Sequence, residues 1–135
     1  MRLYPPAALI VREARRDLDL DGAQVRAGST VYIPVYAVHR HETLWSEPDR
    51  FDPSRFAPEA AKARDRFSYL PFGAGPRICV GQGFALLEAV TVLATLLPSF
   101  QFQLRPGYAP EPRLRVTLRP AAGMPMRITP VRSDA

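Results

Sequence analysis

The stretch Phe72-Gly73-Ala74-Gly75-Pro76-Arg77-Ile78-Cys79-Val80-Gly81 contains the only cysteine of this 135-residue chain, and an apolar segment follows it directly. Its glycines permit tight turns and let the backbone approach a flat group closely. Backbone N–H groups and the positive end of a following helix would stabilise a thiolate at Cys79. Phe72 and Ile78 would keep water away from the sulfur. The stretch therefore predicts an iron-binding thiolate in a loop that precedes a helix.

The spacing Phe-x-x-Gly-x-Arg-x-Cys-x-Gly in this stretch resembles the haem-binding signature of the cytochrome P450 family, and every fixed position is filled. An isolated cysteine is more often a small buried apolar residue, but the complete motif favours the ligand. The resemblance extends from residue 2 to about residue 130. Arg2-Leu3-Tyr4-Pro5-Pro6 is similar to the end of the helix that carries the family's Glu-x-x-Arg motif. Residues 48–56 are similar to its proline-arginine-phenylalanine meander.

The resemblance implies a cofactor and the residues that hold it. Cys79 would be the proximal ligand of haem b, and its thiolate would push electron density onto the iron. Arg77 and Arg12 would pair with the two haem propionates, because a guanidinium matches a carboxylate in a bidentate way. Ala85 would let the following helix approach the haem plane. The expected cofactor-binding residues are Phe72, Gly73, Gly75, Arg77, Cys79, Gly81, Ala85 and Arg12, with Cys79 as the metal ligand and no residue assigned to catalysis.

The expected fold is an α+β fragment of a mainly helical cytochrome P450 fold, in one unit over residues 1–135. Alternating and β-branched residues indicate short strands. Apolar residues spaced by three and four indicate one long helix, which Pro98 limits. In the tail, residues 114–118 and 126–128 would form a C-terminal β-hairpin. The expected order is the end of the Glu-x-x-Arg helix (1–6), strands of one small sheet (8–36), an irregular meander (39–66), the cysteine loop (69–81), the helix (82–97) and C-terminal strands (100–131).

The start of the chain lacks a part of the family pattern. Only Met1 precedes Arg2, so the glutamate of Glu-x-x-Arg has no counterpart. Arg2 and Arg55 match two members of the family's Glu-Arg-Arg cluster, and they would face each other without an anion, which a buried site penalises. The family's distal helix, with its acidic residue and threonine, also has no counterpart. We therefore expect the C-terminal part of an enzyme.

Composition and charge exclude several classes of function. The chain is 47% hydrophobic with 15 prolines, which is typical of a globular protein with much irregular backbone. Its net charge of +5 comes from scattered arginines, without the basic cluster of a nucleic-acid-binding protein. One cysteine cannot form an internal disulfide. We find neither a secretory signal nor a membrane span, and we expect a cytoplasmic location.

The sequence gives less specific predictions for the two histidines and for a few apolar positions. A structural or propionate-adjacent role is expected for His39, and an exposed position for His41. Zinc is disfavoured, because no further motif completes a tetrahedral ligand set. By resemblance, the positions near a substrate are Ala8, Leu9, Ile10, Val116 and Thr117, although packing in an apolar core explains them equally well.

Three functions stay open. The first is a haem-thiolate monooxygenase that inserts one oxygen atom of O2 into a small apolar organic substrate. Its electrons would come from NAD(P)H through a ferredoxin- or flavin-type donor, which a basic surface could attract. The second is a non-catalytic, truncated haem-binding fragment. The third is a peroxide-using haem-thiolate enzyme, which would share the same cysteine loop.

Overall fold

The computed structural model describes residues 1–131. Within this part, the strands pair two by two into four antiparallel sheets. The strands are β1 (Ile10–Glu13), β2 (Leu18–Leu20), β3 (Ala23–Val25), β4 (Thr30–Ile33), β5 (Phe100–Leu104), β6 (Pro112–Leu114), β7 (Leu118–Pro120) and β8 (Met126–Pro130). The helices are α1 (Val35–Val38), α2 (Pro58–Ala63) and α3 (Gln82–Leu96). Short 3-10 turns occur at Pro53–Phe56 and Gly75–Arg77.

The N-terminal strands form two hairpin-like sheets rather than the expected single one. β1 pairs with β4, with Ile10 opposite Ile33. Between them, β2 and β3 pair with each other around Asp21 and Gly22, whose φ angles are 53° and 86°. This left-handed pair is the geometry of a tight hairpin turn. Because the turn reverses the chain at once, β2 pairs with the strand that directly follows it.

Residues 1–6 are irregular in the structure, and the expectation that they end the Glu-x-x-Arg helix stays a prediction. Pro5 and Pro6 have no N–H to donate to the carbonyls of Met1 and Arg2, and a helical turn there would lack its hydrogen bonds. The buried Arg2 side chain attaches the segment to the meander instead. Its guanidinium donates to the carbonyls of His39 at 2.9 Å, Pro48 at 2.5 Å and Arg50 at 2.8 Å.

The meander over residues 39–66 packs around Trp45, which is only 4% exposed. Its indole N–H donates to the Ser68 carbonyl at 3.1 Å. The ring of Phe56 lies 5.0 Å from that of Tyr69, in an edge-to-face arrangement. Phe51, which we expected to pin the meander as Trp45 and Phe56 do, is 79% exposed and does not. The buried centre of the described chain consists of Pro5, Ala8, Ala14, Val35 and Trp45 with Arg2, His39 and Ser68.

The one long helix of the described chain is α3, in agreement with the apolar spacing. None of its residues is buried, and Phe84, Leu87 and Val90 are 74%, 67% and 63% exposed. Within residues 1–131, no helix is both long enough and apolar enough to cross a membrane.

The tail contains two nested strand pairs. β5 pairs with β8, with Phe102 opposite Ile128, and the β6–β7 hairpin lies between them in the chain. The expected pairing of residues 114–118 with 126–128 is wrong. Residues 115–117 are the tip of the hairpin, and Leu114 lies opposite Leu118. Alternation alone does not distinguish a continuous strand from two strand ends that are joined by three residues.

Candidate functional site

The cysteine loop closes on itself before α3 begins. The backbone N–H of Cys79 donates to the carbonyl of Phe72 at 2.9 Å, and that of Ile78 donates to Gly75 at 3.1 Å. Gly73 and Gly75 have φ angles of 77° and 74°, a left-handed conformation that side chains disfavour. The glycines therefore allow the turn that brings Cys79 back beside Phe72.

The loop leads directly into the N-terminus of α3. Gly81 is the residue before the helix, and its carbonyl accepts the N–H of Ala85 at 2.9 Å. The Cys79 thiol is free and exposed. A Cβ at Gly81 would lie 3.9 Å from Sγ, so the glycine leaves that side of the sulfur uncovered. The positive end of the α3 dipole follows Cys79 by three residues, an arrangement that favours an anionic sulfur.

A cavity of about 470 Å³ brings the cysteine loop together with β1 and the tip of the β6–β7 hairpin. Five of the predicted cofactor-binding residues line this cavity, namely Phe72, Gly73, Arg77, Cys79 and Arg12. Gly75, Gly81 and Ala85 do not line it. The remaining lining residues are Pro6, Ala7, Leu9, Ile10, Val11, Pro71 and Thr117.

The positions near a substrate that we expected by resemblance divide between the cavity and its surroundings. Leu9, Ile10 and Thr117 line the cavity. Ala8 is buried in the core and Val116 is 96% exposed, so neither lines it. Pro71 and Val11 were not singled out from the sequence. Alternation along β1 would place Val11 on the face opposite Ile10 and Arg12, so the sequence pattern did not indicate that it lines the cavity.

The chemistry of the cavity suits a flat apolar group that carries acidic substituents and needs one sulfur ligand. Cys79 offers the sulfur, and Leu9, Ile10 and Phe72 offer apolar surface. Arg12 and Arg77 are both exposed, and neither forms an ion pair with a carboxylate of residues 1–131. Within residues 1–131, the Arg12 side chain donates only to its neighbouring Val11 carbonyl, at 2.9 Å. Both guanidiniums can therefore bind an incoming anion, and the residues present fit a haem.

His39 has a structural role, because it binds the backbone of Leu70 just before the cavity wall, and it does not line the cavity. It is fully buried, and its Nε2 accepts the backbone N–H of Leu70 at 2.8 Å. Its Nδ1 lies 3.1 Å from the Arg2 carbonyl. Burial is the main cause that lowers the pKa of His39 from 6.5 to about 4, and the positive charges of Arg2, the N-terminus and Arg40 act in the same direction. His41 is exposed, as expected.

We expected Arg2 and Arg55 to lack an anion, and within residues 1–131 this is wrong for Arg55, whereas Arg2 forms no ion pair. Nε of Arg55 lies 3.8 Å from Oδ2 of Asp52, and Nε of Arg40 lies 3.1 Å from Oδ1 of Asp49. The pKa of Arg2 is nevertheless lowered, first by burial and then by the charges of Arg55 and Arg40. Arg55 Nε and Arg40 Nη1 are buried without a hydrogen-bond acceptor from residues 1–131. The cluster is thus only partly neutralised.

Comparison with known proteins identifies the family. The family model described as Cytochrome P450 matches residues 1–125. Cytochrome P450 734A5 of Oryza sativa subsp. japonica is 41% identical over all of this chain and 26% of that protein. The 11-oxo-beta-amyrin 30-oxidase of Glycyrrhiza uralensis is 46% identical over 93% of this chain and 24% of its own length. The chain thus spans about a quarter of the curated relatives that it matches.

The fold agrees with this match. The structure of the retinoic acid-bound cyanobacterial CYP120A1 superposes with a TM-score of 0.89 and 30% sequence identity. The superposition covers 96% of this chain and 31% of that one. The short strands, the meander, the cysteine loop and the one long helix are therefore part of a P450 haem-domain fold, as the sequence predicts. This chain belongs to the cytochrome P450 family, a family of haem-containing oxidoreductases.

Proposed function

We propose that this chain provides the haem-thiolate centre of a monooxygenase, with Cys79 as the iron ligand. The observation that carries the proposal is the cavity that combines the exposed Cys79 thiol with Arg12, Arg77 and apolar walls. A thiolate, two cations and a flat apolar surface are what a haem with two propionates requires.

The residues of the cavity would divide the binding between them. Arg12 on β1 and Arg77 in the loop would each pair a guanidinium with one propionate of haem b. Phe72 and Gly73 would form the wall beside the sulfur and exclude water from it. Outside the lining, Gly75 would maintain the turn of the loop, while Gly81 and Ala85 would let α3 begin close to the cofactor plane.

When bound, a thiolate-ligated haem supplies oxygen activation, in which one atom of O2 enters the substrate and the other leaves as water after uptake of two electrons and two protons. The electrons would come from NAD(P)H through a ferredoxin- or flavin-type donor. The net charge of +5 supports an acidic donor, since opposite charge steers association. We propose a cytoplasmic location for this reaction.

The proposed substrate is a small apolar organic molecule. Leu9 and Ile10 would contact it through their side chains, and Thr117 would offer a hydroxyl at the edge of the cavity. Two similar proteins carry names in keeping with this class, one for the oxidation of 11-oxo-beta-amyrin and one with bound retinoic acid. Because the chain spans a quarter of its relatives, the activity itself belongs to the natural full-length form of the protein.

The absorption spectrum of the reduced, carbon monoxide-bound full-length form tests whether Cys79 is the iron ligand. We expect a thiolate-type Soret band, which Cys79→Ser should abolish. Val80→Ser is the matched control, since it introduces the same side chain one residue further along the loop, at a fully exposed position. Retention of the thiolate-type band in Cys79→Ser would refute the ligand assignment.

The oxidant is tested with the same preparation. We expect product formation to require NAD(P)H and an electron-transfer protein, with one atom of ¹⁸O from labelled O2 in the product. Equal turnover with hydrogen peroxide alone, and no label from O2, would assign the chain to a peroxide-using enzyme. Haem binding without turnover under either condition would support the non-catalytic alternative.

A further inference from the structure

Arg64 is a half-buried cation that forms no ion pair with a carboxylate of residues 1–131. It follows the last residue of α2, and its extended backbone, with φ of −77° and ψ of 142°, ends the helix. Its guanidinium donates a hydrogen bond to the carbonyl of Arg55. Because partial burial removes water from the charge, a cation in this position needs stabilisation from other groups.

Three aromatic rings provide this stabilisation. The guanidinium carbon of Arg64 lies 4.8 Å from the ring centroid of Trp45, 4.6 Å from that of Phe56 and 5.8 Å from that of Tyr69. A cation within about 6 Å of an aromatic centroid is attracted by the negative face of the ring. We call the three rings the aromatic box, and Arg64 occupies it.

The walls of the aromatic box come from three separate parts of the chain. Trp45 belongs to the first half of the meander, Phe56 ends a 3-10 turn, and Tyr69 begins the cysteine loop. The ring centroids of Phe56 and Tyr69 are 5.0 Å apart, and those of Trp45 and Tyr69 are 6.4 Å apart. One side chain, Arg64, thus joins the cysteine loop to two parts of the meander.

The backbone connects the aromatic box to Cys79 over a short distance. Leu70 follows Tyr69 directly, and its carbonyl accepts the backbone N–H of Gly73 at 3.1 Å. The carbonyl of Phe72 accepts the backbone N–H of Cys79 at 2.9 Å. A shift of Tyr69 would therefore move the segment to which Cys79 is hydrogen-bonded.

We infer that Arg64 is a positioning residue for Cys79: its guanidinium holds Tyr69 against the meander and thereby fixes the cysteine loop. The inference rests on the proposed function, because it names what keeps the sulfur in place for the haem iron. Arg64 does not line the Cys79 cavity, so it acts through Tyr69 and the backbone and does not touch the cofactor. A ligand keeps its geometry only when the residues behind it are themselves fixed.

Amide hydrogen exchange of the natural full-length form tests the position of the loop independently of the iron ligand. Arg64→Met keeps a long side chain but removes the charge and the planar group. We expect the amides of residues 70–79 to exchange about fivefold faster or more in this variant. The amides of β5 and β8, which carry no residue of the aromatic box, should keep their wild-type rates.

Two further variants show whether the cation in the aromatic box is the cause. Arg64→Lys should recover part of the protection, because an ammonium group is still attracted by the rings although it cannot stack as a plane. Arg66→Met is the matched control. The guanidinium carbon of Arg66 lies 4.5 Å from the ring centroid of the exposed Phe67, outside the aromatic box, so this variant should leave the loop unchanged.

The absorption spectrum of the reduced, carbon monoxide-bound form gives a second readout, because it reports whether the sulfur still binds the iron. On storage, the thiolate-type band of Arg64→Met should disappear about fivefold faster or more than that of wild type. Arg66→Met should lose the band at the wild-type rate.

The opposite results overturn the inference. Unchanged exchange of residues 70–79 in Arg64→Met would show that Arg64 does not hold the loop, and equal acceleration in β5 and β8 would indicate a general loss of stability. Arg64→Lys that exchanges as fast as Arg64→Met would exclude the cation as the cause. A thiolate-type band as persistent as that of wild type would disconnect Arg64 from Cys79. If wild type itself lacks that band, the proposed function fails, whereas faster loop exchange in Arg64→Met would still support the positioning role.

Discussion

The backbone N–H of Leu70 donates a hydrogen bond of 2.8 Å to Nε2 of His39. Since Nε2 accepts, a neutral imidazole must carry its proton on Nδ1, which donates to the Arg2 carbonyl at 3.1 Å. One buried side chain thus joins residues 2 and 70, and Pro71 and Phe72 of the cavity wall follow immediately. The position of the cysteine loop therefore depends on a histidine outside it.

Replacement of His39 should destabilise the fold. His39→Ala removes both hydrogen bonds and leaves a cavity at a fully buried site, so we expect the free energy of unfolding to fall by about 3 kcal/mol. Urea unfolding of the natural full-length form measures this change. His41→Ala, at an exposed position two residues away, is the control and should cost less than about 0.5 kcal/mol. Similar losses in the two variants would contradict the structural role of His39.

The low pKa of His39 predicts a loss of stability in mild acid. In the folded state this pKa is about 4, whereas an unfolded histidine has 6.5, so the unfolded state binds more protons between these values. Stability from neutral His39 is complete above pH 6.5 and decreases as the pH falls toward 4, by about 3 kcal/mol in total. The measurement is the free energy of unfolding at intervals from pH 7 to pH 4. His39→Gln should show a shallower slope over this window, and parallel curves for wild type and variant would exclude His39 as the cause.

Arg77 should control how long the cofactor stays bound. Arg77→Ala removes one of the two cations that line the cavity of Cys79, so we expect haem to dissociate about tenfold faster or more. The thiolate-type spectrum should remain, because Cys79 is unchanged. Transfer of haem to an excess of a haem-scavenging protein measures the rate. Arg66→Ala, at an exposed position that does not line the cavity, is the control. Equal transfer rates for Arg77→Ala and wild type would remove Arg77 from the site.

Local chemistry explains which features of the fold could be predicted from the sequence. The cysteine loop and α3 were predictable because glycine turns, a helix period and Pro98 act over a few residues. The Asp21-Gly22 turn was an equally local signal for the β2–β3 hairpin. The pairing of β5 with β8 was not predictable, because the two strands are separated by the whole β6–β7 hairpin and tertiary packing determines their register.

The residues of the candidate site also divide into those that a local motif predicts and those that only the tertiary structure brings together. Cys79 and Arg77 belong to one contiguous motif, so the residues themselves indicated their proximity. Thr117 and Arg12 come from opposite ends of the chain, and only the resemblance to a family suggested that they approach the cysteine. The hydrogen bond from the Leu118 N–H to the Pro6 carbonyl, at 2.9 Å, holds the tip of the hairpin beside β1. No local pattern in the sequence encodes that contact.

Gly75 should be sensitive to substitution because of its backbone conformation and not because of crowding. Its φ is 74°, and an added Cβ would have no atom within 4 Å. Gly75→Ala should therefore cost about 1 to 2 kcal/mol of unfolding free energy through strain alone. Gly75→Asn is the informative comparison, since asparagine tolerates the left-handed region better than other side chains, and it should cost less than alanine despite its greater size. Urea unfolding of the two variants beside wild type measures both losses. A greater loss for asparagine than for alanine would mean that space, and not φ, limits this position.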